Sequence, residues 1–253
     1  MRFYLGTHQL RHLEIASVPL FVSMRSLHKR KKPLTQQGRL AIDSGGFTEL
    51  NMYGKWTVSA EAYCERLNRL EDLGLRPDWA AQQDWMVEPF VLKKTGKSII
   101  EHQNRTVLNL IRLRELQPKV HVIPVIQGWS LQDYERCIHF FYKKGVDLSR
   151  EQVVGVGSVC RRQATTEIHD IMKFVHSCGI AAHGFGVKVQ GLKKYANLLT
   201  SADSLAWSFG ARQRQEHCES CIEAGVTTKN CANCISYALA WRERLVKSDE
   251  CIQ

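Results

Sequence analysis

The chain has 253 residues, 44% of them hydrophobic and 24% charged, with a net charge of +10. That supplies one large core of the size usual for a single α/β barrel. The positive balance points to an anionic partner, because clustered Lys and Arg gain binding energy by displacing phosphate counterions.

No stretch approaches the roughly 20 apolar residues of a membrane span. The N-terminal residues carry neither a signal-peptide core nor a small-residue cleavage site. Nine cysteines is an odd number, and five of them (Cys64, Cys137, Cys160, Cys178, Cys251) are scattered. A secreted disulfide framework is not spaced like this, so a reducing, cytoplasmic compartment is expected.

In chain order, short apolar runs fall at 2–5, 19–23, 40–42, 79–81, 121–126, 153–156, 181–185 and 202–205, eight in all. Segments of helical period separate the later ones. Leu131, Tyr134, Ile138 and Phe141 share one helical face, as do Ile168, Ile171, Met172 and Val175. Ser130 and Asp133 form an S-x-x-D capping box that fixes the start of the first of these helices. Strands alternating with helices imply a parallel sheet, and eight of them imply a closed (β/α)8 TIM-type barrel. An open doubly wound sheet is the alternative, but no G-x-G-x-x-G follows the first run.

A barrel should carry its functional groups at the C-terminal ends of its strands. Asp43 follows the third run, and Gln82, Gln83 and Asp84 follow the fourth. Gln127 follows the fifth, a Gly155-Val156-Gly157-Ser158 turn ends the sixth, Lys188 follows the seventh, and Asp203 lies in the eighth. Six strands ending in polar or Gly-rich elements point to one shared site.

Cys218-x-x-Cys221, nine residues, then Cys231-x-x-Cys234 is the strongest local signal. Two C-x-x-C pairs complete the closed tetrahedral coordination of a structural Zn2+, with His217 as an alternate ligand. Four protein ligands leave no open position for water, so the expected zinc is structural. Residues 233–246 read as a helix, with Tyr237, Leu239, Ala240 and Trp241 packing a small lobe on the barrel. The expected division is a catalytic barrel over 1–210 and a zinc-binding lobe over 211–253.

Asp43-Ser44-Gly45-Gly46-Phe47 combines a carboxylate, two glycines that let the backbone approach a planar ligand, and a stacking face. It is followed in order by Gln83-Asp84-Trp85-Met86-Val87-Glu88-Pro89, Ile126-Gln127-Gly128, Val154-Gly155-Val156-Gly157 and Ala202-Asp203-Ser204. This ordered set, spread over residues 40–241, resembles the tRNA-guanine transglycosylase superfamily. The Q-D-W-M-x-E-P string is more specifically similar to its DNA-modifying branch, the DpdA-like 7-deazapurine-in-DNA transglycosylases.

The resemblance implies a pentosyltransferase that exchanges guanine in DNA for a free 7-deazaguanine such as 7-cyano-7-deazaguanine. It implies Asp203 as the nucleophile on C1′ and Asp43 as general acid/base. Asp84 and Gln127 would hydrogen-bond the base edge, the Gly155 to Gly157 backbone would contact it, and Ser44, Gly46 and Phe47 would line the pocket. The chemistry asks for the same parts: exchange without net use of water suits two displacements, one carboxylate attacking and another moving protons. A base must also leave its stack, which calls for a basic rim. Arg161, Arg162, Lys188 and Arg212 are the favoured phosphate contacts, with Arg30, Lys31, Lys32, Lys193, Lys194 and Arg214 as further candidates.

Enzymes of this superfamily that act on tRNA carry a C-x-C-x-x-C plus a distant His, and are longer than this chain. Both departures favour DNA. A tRNA transglycosylase with the same chemistry is one alternative, and a catalytically silent zinc barrel that binds nucleic acid as an accessory subunit is another. A metal-dependent hydrolase using His121, His183 and Asp203 lacks any H-x-H or H-E-x-x-H spacing. No P-loop is present, so energy-driven strand opening would need a partner ATPase.

Overall fold

A computed structural model of the protein describes residues 1–253 except 161, 163–164, 224, 226–228, 248–251 and 253. Among the described residues, nine strands form one sheet: β1 (Arg2–Thr7), β2 (Leu20–Ser23), β3 (Leu40–Asp43), β4 (Trp79–Ala81), β5 (Val122–Ile123), β6 (Val125–Ile126), β7 (Val154–Val156), β8 (Ala182–Gly184) and β9 (Ser201–Ser204). They run in the order β5-β4-β3-β2-β1-β9-β8-β7-β6, and every pairing is parallel. Helices cross between consecutive strands, and the result is an α/β barrel.

Each predicted run overlaps a strand, but the fifth holds two. Pro124 divides it. Proline has no N–H to give to a ladder, so the run serves one neighbour on either side of it. Val122 and Ile123 pair with β4, whereas Val125 and Ile126 pair with β7. The Pro124 carbonyl still accepts the Gly155 N–H at 2.8 Å. The two ends of the sheet are therefore halves of one run, and the barrel comes round to within one residue of closing.

Side chains alternate along each strand, one inward and the next outward. Tyr4, Phe21, Ala41, Trp79, Ala81, Ile123 and Val125 fill the interior. Phe3, Leu5, Leu20, Val22, Leu40 and Ile42 point outward into the larger core beneath the helices. That core receives the apolar stripes of the predicted helices: Ile168, Ile171, Met172 and Val175 are all buried. Leu131–Lys143 begins at Ser130 with both arms of its capping box formed. Ile99–Leu116 has a second such box, from Ser98 and Glu101.

The last helix is Ile235–Lys247, two residues later than expected. Tyr237 is buried, Leu239 and Trp241 are half-buried, and the Trp241 ring lies 6.1 Å from that of Phe3 on β1. Ala240 is exposed instead of packed; Ala238, one position short of a turn before Trp241, takes the core position. The helix Ala206–Arg214 crosses residue 210, so the expected boundary falls within an element. No helix among the described residues is long and apolar enough to cross a membrane.

Candidate active site

A cavity of about 370 Å3 opens at the C-terminal ends of the strands, within the roughly 300–1,000 Å3 of small-ligand sites. Asp43, Asp84, Glu88, Gln127, Gly157 and Asp203 all line it. They come from β3, β4, β6, β7 and β9 or the turns that follow, positions a parallel barrel directs to one mouth.

Asp43 ends β3, and its Oδ2 accepts the Gly45 N–H at 3.1 Å. Gly45 has φ +91°, a left-handed conformation that turns the chain sharply out of the strand, and the stem of Arg25 lies 2.8 Å from where a Cβ would stand. Burial pushes the Asp43 carboxyl up to about 6; hydrogen bonds from Ser23 and Gly45 oppose the rise, and the Asp203 charge adds to it. Asp84 is pushed higher, to about 7, first by burial and then by the charge of Asp43. Two acids near neutrality in one cavity suit proton transfer at physiological pH.

Gln127 joins the third side of the cavity. Its Nε2 donates to Asp84 Oδ2, and its Oε1 faces the Ser158 hydroxyl at 2.7 Å. Ser158 also lies 2.9 Å from Glu88 Oε2 and accepts the Val87 N–H at 3.0 Å. A hydroxyl has one proton, so it serves one of these two acceptors at a time. Gly157 makes the arrangement possible: a Cβ there would stand 2.0 Å from Gln127 Nε2.

Asp203 is 6% exposed on β9. Its Oδ1 accepts the Gly186 N–H at 2.9 Å and lies 3.4 Å from His183 Nε2. Its Oδ2 has no hydrogen bond among the described residues, and the side chain lines the cavity. One oxygen is thus held while the other is presented.

The remaining predicted residues divide. Gly46 and Phe47 line the cavity, and Phe47 is 42% exposed with its ring 6.3 Å from Phe90. Ser44 is buried but does not line the cavity. Gly155 sits a layer below, where the Phe185 ring occupies the space of a Cβ at 2.4 Å.

Of the basic rim, Arg161 lies outside the described residues. Arg162 is turned inward: its guanidinium donates to the Trp129 carbonyl at 2.7 Å, pairs with Glu167 at 2.9 Å and stacks 3.8 Å over the Trp129 ring. It holds the loop instead of offering itself to a phosphate. Lys188 and Arg212 are exposed, and the imidazole of His8 on the cavity rim is depressed first by burial and then by the Arg212 charge.

Ser23, Glu88 and Ser158 were given no site role by the sequence, and His183 was considered only as a ligand of the metal-dependent hydrolase alternative. Glu88 and Ser158 adjoin motif residues, which is the signal that could have found them. His183 and Ser23 are single polar residues in strands and carry no such signal.

The four cysteines form a second centre. Their Sγ atoms all lie within 4.8 Å of one another. The pairs Cys218–Cys234, Cys221–Cys234 and Cys218–Cys231 are 3.7, 3.5 and 3.6 Å apart. A tetrahedral zinc with Zn–S bonds of about 2.3 Å has sulfur edges of about 3.8 Å, so the residues fit that ion. His217 is exposed and stands outside the group.

A family model described as DpdA, DeoxyPurine in DNA protein A, matches residues 1–253, the whole chain. No curated protein matches it.

Proposed function

The chain belongs to the family of DpdA, DeoxyPurine in DNA protein A, and on that premise we propose that it is a DNA-guanine transglycosylase. In this reading it is a pentosyltransferase that exchanges a guanine of DNA for a free 7-deazaguanine, 7-cyano-7-deazaguanine or a close relative. The observation that carries it is the cavity in which Asp203, tied at Oδ1 and open at Oδ2, meets Asp43 and Asp84, both raised toward neutrality.

The exchange runs as two displacements. Asp203 Oδ2 attacks C1′, the C1′–N9 bond breaks, and Asp43 in its acid form delivers a proton to the departing guanine. Asp43, now ionised, then takes the N9 proton of the incoming base. N9 attacks C1′, and the Asp203 ester bond breaks. Atoms balance without water or an external proton. Asp84 and Gln127 face the N–H and carbonyl edge of the base, and Phe47 at the rim offers a stacking face. Lys188 and Arg212 supply positive charge for the phosphates of an extruded nucleotide.

The four-cysteine cluster suits a structural zinc, with no open position for a substrate. We treat 1–210 as the catalytic barrel and 211–253 as the zinc-binding lobe, sharing the helix Ala206–Arg214. The cysteine usage supports a cytoplasmic enzyme, and a partner ATPase would serve any energy-driven strand opening.

The test is incubation with labelled 7-cyano-7-deazaguanine and either DNA or tRNA. We expect label in DNA, lost in Asp203→Asn and slowed in Asp43→Asn. Label entering only tRNA keeps the chemistry and overturns the substrate. Full exchange by Asp203→Asn removes it as nucleophile, and no label in either supports the accessory-subunit alternative.

A further inference from the structure

Below the cavity the barrel interior holds the apolar layer of Tyr4, Phe21, Ala41, Trp79, Ala81, Ile123 and Val125, and one side of it is polar. There β8 and β9 turn three polar side chains inward: His183, Ser201 and Asp203, all buried. Register explains their meeting. His183 on β8 is opposite Ser201 on β9, and Asp203, two residues along, shares the face of Ser201.

The His183 ring is 0% exposed and held on every side by aromatic rings. Trp79 and Phe185 have centroids 4.8 Å away, with Phe21 at 5.6 Å and Tyr4 at 6.2 Å. Such a cage fixes the plane of the imidazole, and its polar neighbours Ser201 and Asp203 select between the two flips of the ring. Its Nδ1 lies 2.9 Å from Ser201 Oγ. Its Nε2 is buried with no hydrogen-bond partner formed, and Asp203 Oδ1 lies 3.4 Å from it.

The tautomer follows. A proton on Nδ1 would leave the bare Nε2 lone pair facing a carboxylate oxygen inside an apolar cage, an arrangement with nothing to offset the repulsion. If Ser201 donates its hydroxyl proton to Nδ1, Nε2 carries the N–H and directs it at Asp203 Oδ1. At 3.4 Å that bond is open. A catalytic hydrogen bond of this length has room to shorten in the reacting complex.

We propose that His183, fixed by Ser201, is a positioning residue that, with the Gly186 N–H, anchors Asp203 Oδ1 so that Oδ2 is aimed at C1′. The proposal rests on the reading of Asp203 as nucleophile. It goes beyond that reading in naming the device that selects which carboxylate oxygen attacks. Without the anchor, the carboxylate samples rotamers about its Cβ–Cγ bond, and a smaller fraction is aligned for attack.

The test is single-turnover formation of the covalent protein–DNA complex, without free base, in wild type, His183→Phe, His183→Gln and Asp203→Asn. His183→Phe keeps the aromatic bulk and loses the N–H. We expect its complex to form about 10- to 100-fold more slowly, less than the roughly 100- to 1,000-fold cost of a donor that meets the developing charge itself, with DNA Kd within about twofold of wild type. His183→Gln places an N–H near Nε2 and should recover part of the rate.

Trapping by His183→Phe at the wild-type rate overturns the proposal, as does a His183→Gln rate no better than that of His183→Phe. Absence of a trapped complex with wild type overturns the nucleophile reading itself, a result distinct from either. Should the His183 variants fail to fold, 15N NMR of histidine-labelled wild type decides. Protonated Nε2 and bare Nδ1, with an Nε2 shift that moves in Asp203→Asn, support the proposal, and the opposite tautomer overturns it.

Discussion

Asp84 must ionise in a place where burial and the Asp43 charge both resist ionisation, and its carboxyl is held near 7 as a result. In the unfolded chain the same group titrates near its ordinary value of about 3.9. Between those two values the folded protein binds more protons than the unfolded one, so stability falls as pH rises from about 4 through 7. Asp84→Asn removes that cost. It is expected to raise unfolding free energy by roughly 1–3 kcal/mol at pH 8, with the gain shrinking toward pH 4. Denaturant titrations at both pH values measure it, and an unchanged or lower stability at pH 8 contradicts the assignment. The ionised form is also the one that accepts N–H groups from a guanine-like edge. At pH 6 only about a tenth of a group titrating near 7 is ionised, so free 7-deazaguanine should bind about tenfold more weakly than at pH 8. Calorimetry checks this, and a pH-independent Kd means that Asp84 does not face the base as an anion.

At the scale of elements, the turn after β7 decides where the cavity's amide sits. Gly157 leaves room for Gln127, whose Nε2 would lie 2.0 Å from any Cβ placed there. Gly157→Ala therefore either overpacks the turn, at about 1–3 kcal/mol, or swings Gln127 away from Asp84. The expected outcome is at least a tenfold loss of base affinity with DNA affinity within about twofold. Equal losses of both would mean that the turn serves DNA docking. Much of this element-level order was legible beforehand. Strands of a parallel barrel are buried on both faces and read as short apolar runs, and the Ser130 and Asp133 spacing marked its helix start. The division at Pro124 was not legible, although the proline was visible. A missing N–H breaks a ladder only where a neighbouring strand calls for it, and that depends on register. Ala240 was misplaced for a related reason: alanines at 238 and 240 are equally apolar, and only the phase of the helix separates them. That Asp43, Asp84, Gln127 and Asp203 line one cavity could be foreseen because each stands at or just past the C-terminal end of a strand, Asp43 and Asp84 within distinctive strings. The inward turn of Arg162 depends on Trp129, 33 residues away in sequence, and local pattern does not carry that distance.

For the molecule as a whole, the question is what the four-cysteine cluster, which lies outside the cavity, does for the barrel. The contacts suggest an answer. The helix Ala206–Arg214 begins three residues after Asp203, and the cysteine loop holds it: Ser208 donates to the Ala232 carbonyl at 2.7 Å, directly beside Cys231. Trp207 on the same helix donates to the Gly6 carbonyl at the end of β1, at 2.8 Å. Tyr237 on the last helix donates to Glu216, and Trp241 packs on Phe3 of β1. The cluster thus braces the element that fixes the far end of β9, and β9 carries Asp203. Metal binding that drives the loop to fold adds its binding free energy to that brace. We expect about one zinc per chain by elemental analysis, and both a strong chelator and Cys231→Ser should lower Tm by several degrees, at roughly 2–4 °C per kcal/mol for a chain of this size. The rate of covalent-complex formation should fall with Tm, because loosening β9 degrades the aim of Asp203. If Asp84 and Gln127, on other strands, hold the base as proposed, base affinity should fall less. A zinc-free protein with unchanged Tm would show that the four thiols do not brace the barrel. A uniform loss of base binding and covalent step together would show that the lobe supports the whole fold and not β9 in particular.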